Sequence, residues 1–192
     1  MNRAFQQAPT AQIFFTEDLD FIEQFAPLLY KFKGLKVFHC LDDAYRSRAL
    51  AAVPDLHVVE RVRPDKFWSK SFSDGLSYSS NSMIGALNIA DLLGAFRIYL
   101  LGVDCRMQGD KSNYHDSYPE ERRAGVHQLD SFRSDFENWA AFHLRKKSVY
   151  NVTHPSCEST LTCWPKISFD RFYKVVGGWP LDEIDIKIRV DL

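Results

Sequence analysis

Residues 81–104, NSMIGALNIADLLGAFRIYLLGVD, constrain the fold more than any other segment. From Met83 to Leu93 the chain is apolar on nearly every side except at Asn88 and Asp91. Ser80-Asn81-Ser82 supplies N-cap chemistry before this run, and Gly94 stands where a C-cap glycine belongs, so the pattern predicts a buried helix. Phe96–Asp104 follows directly as a largely apolar run, the pattern of a strand covered on both faces of a parallel sheet.

The rest of the chain repeats the alternation of strand and helix. Ala11–Phe15 reads as a short buried strand. Leu19–Lys33 carries a helical stripe of Phe21, Ile22, Phe25, Leu28, Leu29 and Phe32, with Pro27 as a point of kinking or restart and Gly34 as the C-cap. Leu35–Cys40 and Leu56–Glu60 are predicted strands. Arg61–Ser80 loses periodicity and is expected to be a long surface loop. Leu129, Phe132, Phe136, Trp139 and Ala140, with His143 next on the same face, predict an amphipathic helix ending near Lys147, and Ser148–Val152 a further strand. The expected architecture is an open α/β sheet with right-handed crossovers. Ligands in such sheets collect at the carboxyl ends of the strands, which directs attention to the loops after Phe15, Cys40, Asp104 and Asn151.

A chain of 192 residues with 45% hydrophobic and 26% charged positions can bury an ordinary core, and no repeat or linker divides it, so a single domain over residues 1–192 is expected. Twenty-four basic against 25 acidic residues give a net charge of -1, which argues against a protein that coats nucleic acid. The apolar stretches fall short of the roughly 20 residues that cross a bilayer. No secretory signal is seen, and Cys40, Cys105, Cys157 and Cys163 are dispersed, the closest pair spaced C-x5-C, so free thiols in a reducing cytoplasm are expected. The alternating Ile184, Ile186, Ile188 and Val190 near the C-terminus read as a strand that extends the sheet or pairs with a second copy in a homo-oligomer.

Several groups are placed for chemistry. The predicted helix start at Ser80, Asn81 and Ser82 presents free amides and polar side chains, a seat for phosphate, although the same residues also serve as an ordinary cap. Asp104 ends a buried strand, where a carboxylate orients a hydroxyl, holds a metal, or simply closes a turn. His115 lies beside Asp116 among aromatic residues and is a candidate general base, against the reading of a solvated loop histidine. His39, His57, His127, His143 and His154 rank lower. Arg61, Arg63, Lys66 and Lys70, interleaved with Phe67 and Trp68, suit a phosphorylated donor or a single strand of nucleic acid, diluted by Glu60 and Asp65. No H-E-x-x-H, P-loop, G-x-S-x-G or G-x-G-x-x-G motif is present.

The run Asn81–Asp104 resembles the N-S-G-x-x-A-L-N-L-A-x-x-L-G-A-x-R-I-x-L-L-G-x-D segment of the 6-hydroxymethylpterin pyrophosphokinase MptE-like proteins. That group is related to the motility accessory factors and, more distantly, to bacterial sialyltransferases, and it includes many phage and prophage proteins. Asn2-Arg-Ala-Phe5 resembles the family's N-x-A-F, Phe32–Val37 its F-x-G-L-K-V, Tyr114-His-Asp116 its W-H-G or W-H-D, and Asn151-Val-Thr with Ser159–Pro165 its N-A-T followed by S-A-L-T-C-F-P. The resemblance reaches to about Lys166, leaving residues 167–192 as a C-terminal extension.

The resemblance implies a Rossmann-like open, mainly parallel sheet with helices on both faces, binding a nucleotide or nucleotide-sugar and transferring a glycosyl or diphosphoryl group. Asn2, Ser80, Asn81 and Ser82 would contact the nucleotide and its phosphates, and the catalytic residues would be His115, taking a proton from the acceptor, and Asp104, orienting substrate. Tyr114, Asp116, Asn151 and Ser159 would meet donor or acceptor. In the pyrophosphokinase version Asp104 would help place Mg2+; the resemblance calls for no other cofactor. Family enzymes begin with a strand and a G-x-G-P-S turn, whereas this sequence starts after it, and Met83 replaces a family glycine. Those departures admit an inactive nucleotide-binding or interaction protein of the same fold as the alternative to a transferase.

Overall fold

The computed structural model describes residues 6, 8, 10–40, 42–60, 68–107, 125–153 and 159–177. The chain folds as two compact units, Met1–Gly94 and Ala95–Leu192. Each contains a three-stranded parallel sheet whose strands follow one another outward in chain order. The expected α/β class with parallel strands is therefore present, its described strands paired as two sheets.

In the first unit, β1 (Ile13–Thr16), β2 (Leu35–Cys40) and β3 (His57–Glu60) pair in register, Phe15 with Val37 and His39 with Val59. Side chains alternate across the sheet, so neighbouring residues enter different cores. Phe14, Phe38 and Cys40 join α1 (Leu19–Leu29) and α2 (Asp43–Ala52) on one face, through Phe21, Ile22, Leu29 and Ala49. Phe15 and Val37 meet Ile89, Ala86 and Leu92 of α3 (Met83–Leu92) on the other. This sheet has helices on both faces, as expected of a parallel sheet.

Local chemistry fixes the helix ends. The Asp18 carboxylate accepts from the Phe21 amide and caps α1, which runs through Pro27 and stops at Leu29, short of the predicted end. Gly34 is not its C-cap. A Cβ there would lie 2.4 Å from the Gln12 carbonyl oxygen and 2.7 Å from that of Ala11, so the glycine is what lets the chain enter β2 against the start of β1. The predicted C-cap at Gly94 does form, with φ +79° and its amide donating to the Asp91 carbonyl at 2.9 Å. No apolar stripe marks α2, where Ala49 is the single buried residue, but Asp42 caps it by accepting from the Ala44 and Tyr45 amides.

The described part of the expected surface loop exposes Lys70, Phe72, Ser73, Asp74, Tyr78 and Ser80 but is anchored inward at several points. Trp68, Ser69, Leu76 and Ser77 are all buried. The two polar residues of α3 hold them. Asn88 accepts from the Ser77 amide and donates to the Ser69 carbonyl, both at 3.0 Å, and Asp91 accepts from the Trp68 indole at 2.9 Å. The Leu76 amide also donates to the Glu60 carbonyl at the end of β3, at 2.9 Å, and the apolar helix carries polar residues where the rest of this segment must satisfy its backbone.

In the second unit, β4 (Arg97–Leu101) pairs with β5 (Ser148–Thr153) and β5 with β6 (Lys166–Ser168). β4 is not doubly covered along its length as its composition suggests. Ile98 and Leu100 are buried while Arg97 and Leu101 are exposed. Tyr99 stacks on its cross-strand partner Tyr150 and meets Phe172 of α6 (Phe169–Val176) edge-on. The predicted amphipathic helix forms as α4 (Val126–Asp135), a π segment over Phe136–Ala140 and α5 (Ala141–His143). The wider π turn shifts the stripe, so Phe136, Ala140 and Leu144 are buried while Trp139 is 41% exposed.

Candidate functional site

His115, Asn2, Tyr114 and Asp116 lie outside the described residues, as do Arg61, Arg63, Lys66, Phe67 and the alternating C-terminal segment. The remaining candidates fall at the carboxyl edges of the two sheets.

At the first edge, α3 begins close to the end of β1. A Cβ on Gly85 would lie 2.6 Å from the Phe15 ring and 3.3 Å from Glu17 Oε1, so only a glycine allows this helix turn to sit so near. Asn81 provides the cap. Its Oδ1 accepts from the Met83 amide at 3.1 Å, and its backbone carbonyl accepts from the Ile84 amide at 3.3 Å. Ser82 makes no side-chain capping bond. The ordinary-cap reading of Asn81 therefore holds, and it occupies two of the amides that the phosphate reading would use.

Beneath this turn lies a pair that the sequence did not single out. Glu17, in the loop after β1, places Oε1 2.6 Å from Nδ1 of His39, which is completely buried near the end of β2. The His39 ring also rests 6.0 Å from that of Phe15. The residues are 22 positions apart and only strand register brings them together. The available signal was Glu17 in one of the loops expected to carry function, together with a histidine at even spacing from Leu35 and Val37 on the same strand face.

At the second edge, Asn151 and Ser159, which the resemblance offered as donor or acceptor contacts, meet in a buried brace. Asn151 Nδ2 donates to Ser159 Oγ at 2.8 Å and to the Val103 carbonyl at 3.3 Å. The Thr160 amide and hydroxyl donate to the Asp104 carbonyl, and the hydroxyl also reaches the Cys105 carbonyl at 3.0 Å. This network holds the turn after β4, in which Gly102 has φ +71° and Cys105 φ +51°. A non-glycine residue in the left-handed region is uncommon, and here three hydrogen bonds to the adjoining carbonyls sustain it. Burial, then the Asp104 carboxylate, pushes the Cys105 thiol up to about 12; burial, then Glu137, pushes Cys163 up to about 11. Neither thiol is a nucleophile at neutral pH. Glu137, within the π segment, accepts from both the amide and the hydroxyl of Thr162.

Among the described residues no three His, Cys, Asp or Glu side chains converge to hold a metal ion, and no helix is long and apolar enough to cross a membrane. No family model, curated protein or solved structure matches the chain.

Proposed function

We propose that this chain is a nucleotide-sugar-dependent, glycosyltransferase-like protein of the phage or prophage type, related to the sialyltransferase and MptE-like families and built on a Rossmann-like fold. One observation carries the reading: the start of α3, uncharged and backed by Gly85, rests against the carboxyl end of β1. In parallel α/β sheets this is where nucleotides bind, with helix-end amides facing their phosphates. Parallel strands that step outward in chain order support the same reading.

In this proposal Ser80, Asn81 and Ser82 face the phosphates of the donor. Their amides and hydroxyls stabilise the leaving phosphate, so no covalent enzyme intermediate is required. His115 removes the proton from the acceptor hydroxyl, and Asp104 orients substrate. A second reading, a catalytically inactive nucleotide-binding or interaction protein of the same fold, is favoured by one feature: Asn81 already occupies the Met83 amide with its own side chain.

Thermal stability of the full chain in cytidine, uridine and adenine nucleotides and their sugar conjugates tests both. A ligand near 100 times its Kd adds about 2.7 kcal/mol, a rise of roughly 5–10 °C for a chain of this size. No response from any of them overturns the proposal. If a sugar nucleotide binds and is turned over, His115→Ala slows turnover with affinity nearly unchanged; binding without turnover leaves the second reading.

A further inference from the structure

The helical stretch over Val126–His143 in the second unit has a buried side and an outer side of unusual composition. Leu129, Phe136, Ala140 and Leu144 are buried. Trp139 and Phe142, within one turn of each other, are 41% and 59% exposed. Arg145 and Lys146 follow at the end of the helix, both exposed, and the Arg145 guanidinium lies 4.5 Å above the centre of the Phe142 ring. The chain carries a net charge of -1, yet residues 138–157 hold Arg145, Lys146 and Lys147 and no aspartate or glutamate. Carboxylates earlier on the helix are engaged elsewhere, Glu137 by Thr162 and Asp130 by Arg133. Among the described residues no carboxylate pairs with Arg145 or Lys146.

Cations at a helix C-terminus complement its dipole, which accounts for the charge. It does not account for two large aromatic side chains left outside the core beside that charge, nor for Arg145 turning back over Phe142 instead of toward the last carbonyls. Aromatic rings next to Lys and Arg suit the boundary of a bilayer, where the rings enter the level between headgroups and acyl chains and the cations meet lipid phosphates. We propose that Trp139, Phe142, Arg145 and Lys146 form a surface that docks this protein on an anionic bilayer, lying on the membrane and not crossing it. Single-stranded nucleic acid fits the same residues less well. Bases stack on ring faces, and Phe142 has Arg145 over one face and His143 at 5.2 Å in an edge contact. A second copy meeting this surface with its own would set cation against cation. The docking surface does not depend on the nucleotide reading, and its test involves no nucleotide.

The full chain is sedimented with vesicles of phosphatidylcholine alone and of phosphatidylcholine with about one third phosphatidylglycerol. Binding is expected to the anionic vesicles only and to weaken as salt is raised. The double variant Arg145→Gln with Lys146→Gln is expected to bind them at least about tenfold more weakly. Phosphatidylcholine brominated in its acyl chains, mixed with the same anionic lipid, is expected to quench the tryptophan fluorescence of the bound protein, and Trp139→Phe, which keeps an aromatic anchor, is expected to bind and to lose most of that quenching. No sedimentation with anionic vesicles, equal binding to neutral ones, or binding undiminished in the double variant overturns the proposal. Quenching that persists in full in Trp139→Phe overturns it as well. Oligothymidine retained by the protein through Arg145 and Lys146, with no vesicle binding, replaces it with a nucleic-acid surface. Melting temperatures of the variants are measured alongside. If the double variant is destabilised, the conservative Trp139→Phe and the salt dependence of the unaltered protein decide.

Discussion

The Ser77 amide donates to Asn88 Oδ1 at 3.0 Å, in a region where both residues are completely buried. With the matching bond from Asn88 Nδ2 to the Ser69 carbonyl, one side chain on α3 ties both ends of residues 69–77, beside the Leu76 amide's bond to the Glu60 carbonyl of β3. Asn88→Leu keeps the volume roughly but leaves a buried donor and a buried acceptor without partners. At about 1–3 kcal/mol for each of these two groups, it is expected to lower stability by about 2–6 kcal/mol, read as a fall in the urea midpoint at unchanged slope. A loss below about 0.5 kcal/mol would mean that the segment is not held this way.

Gly34 and Gly94 are expected to respond differently to alanine. At Gly34 the new methyl meets backbone, the Gln12 carbonyl oxygen that also accepts from the Leu35 amide at 2.8 Å, so β1 and β2 must separate locally. At Gly94 nothing lies within 4 Å, and the cost is the left-handed φ of +79° alone, about 1–2 kcal/mol. Thermal denaturation of the two variants should therefore place Gly34→Ala well below Gly94→Ala, and the reverse order would contradict the packing assigned to Gly34.

Gly85→Ala sets a helix-propensity gain of about 1 kcal/mol against a methyl 2.6 Å from the Phe15 ring. Phe15 is a core residue with little room to move, so overpacking by about 1–3 kcal/mol is expected to win. The double variant with Phe15→Leu tests the cause. With the ring gone, the added alanine should be less harmful, a coupling of about 0.5–3 kcal/mol; simple additivity would place the strain elsewhere.

Cys105 gives a pH dependence of defined sign. Its thiol is raised from 9.0 to about 12 in the folded chain, first by burial and then by the Asp104 carboxylate. Between those values the unfolded chain has released its proton while the folded chain still holds it, so this contribution to stability is complete below pH 9 and is lost as pH rises toward 12. Denaturation midpoints of the wild type and Cys105→Ser from pH 8 to 11 should show the wild type falling more steeply above pH 9. Parallel curves would remove the thiol from that slope.

What was legible in the sequence was local. The steps of Phe21, Ile22 and Leu29 mark α1, the apolar run from Met83 to Gly94 marks α3 with its C-cap, and Leu35–Cys40 is a strand at the predicted bounds, because side-chain period and cap chemistry act within one turn or one pleat. Elements with little apolar content or few residues, α2 and β6, left no such pattern. The Trp139 position was misjudged because a π turn resets the helical period without any mark in the residue types.

The candidate sites were legible only in part. The resemblance named Asn151 and Ser159, and the polar interruptions of α3 at Asn88 and Asp91 were visible without any indication of what they hold. Glu17 and His39 each look unremarked in the sequence. Their meeting depends on β1 and β2 lying parallel in one particular register, and a shift of a single residue would turn the histidine to the opposite face. The sequence by itself determined where α1, β2 and α3 form, because those preferences are short-ranged. Tertiary structure alone decided which buried polar atoms found partners and which did not, because that outcome depends on the packing of segments far apart in the chain.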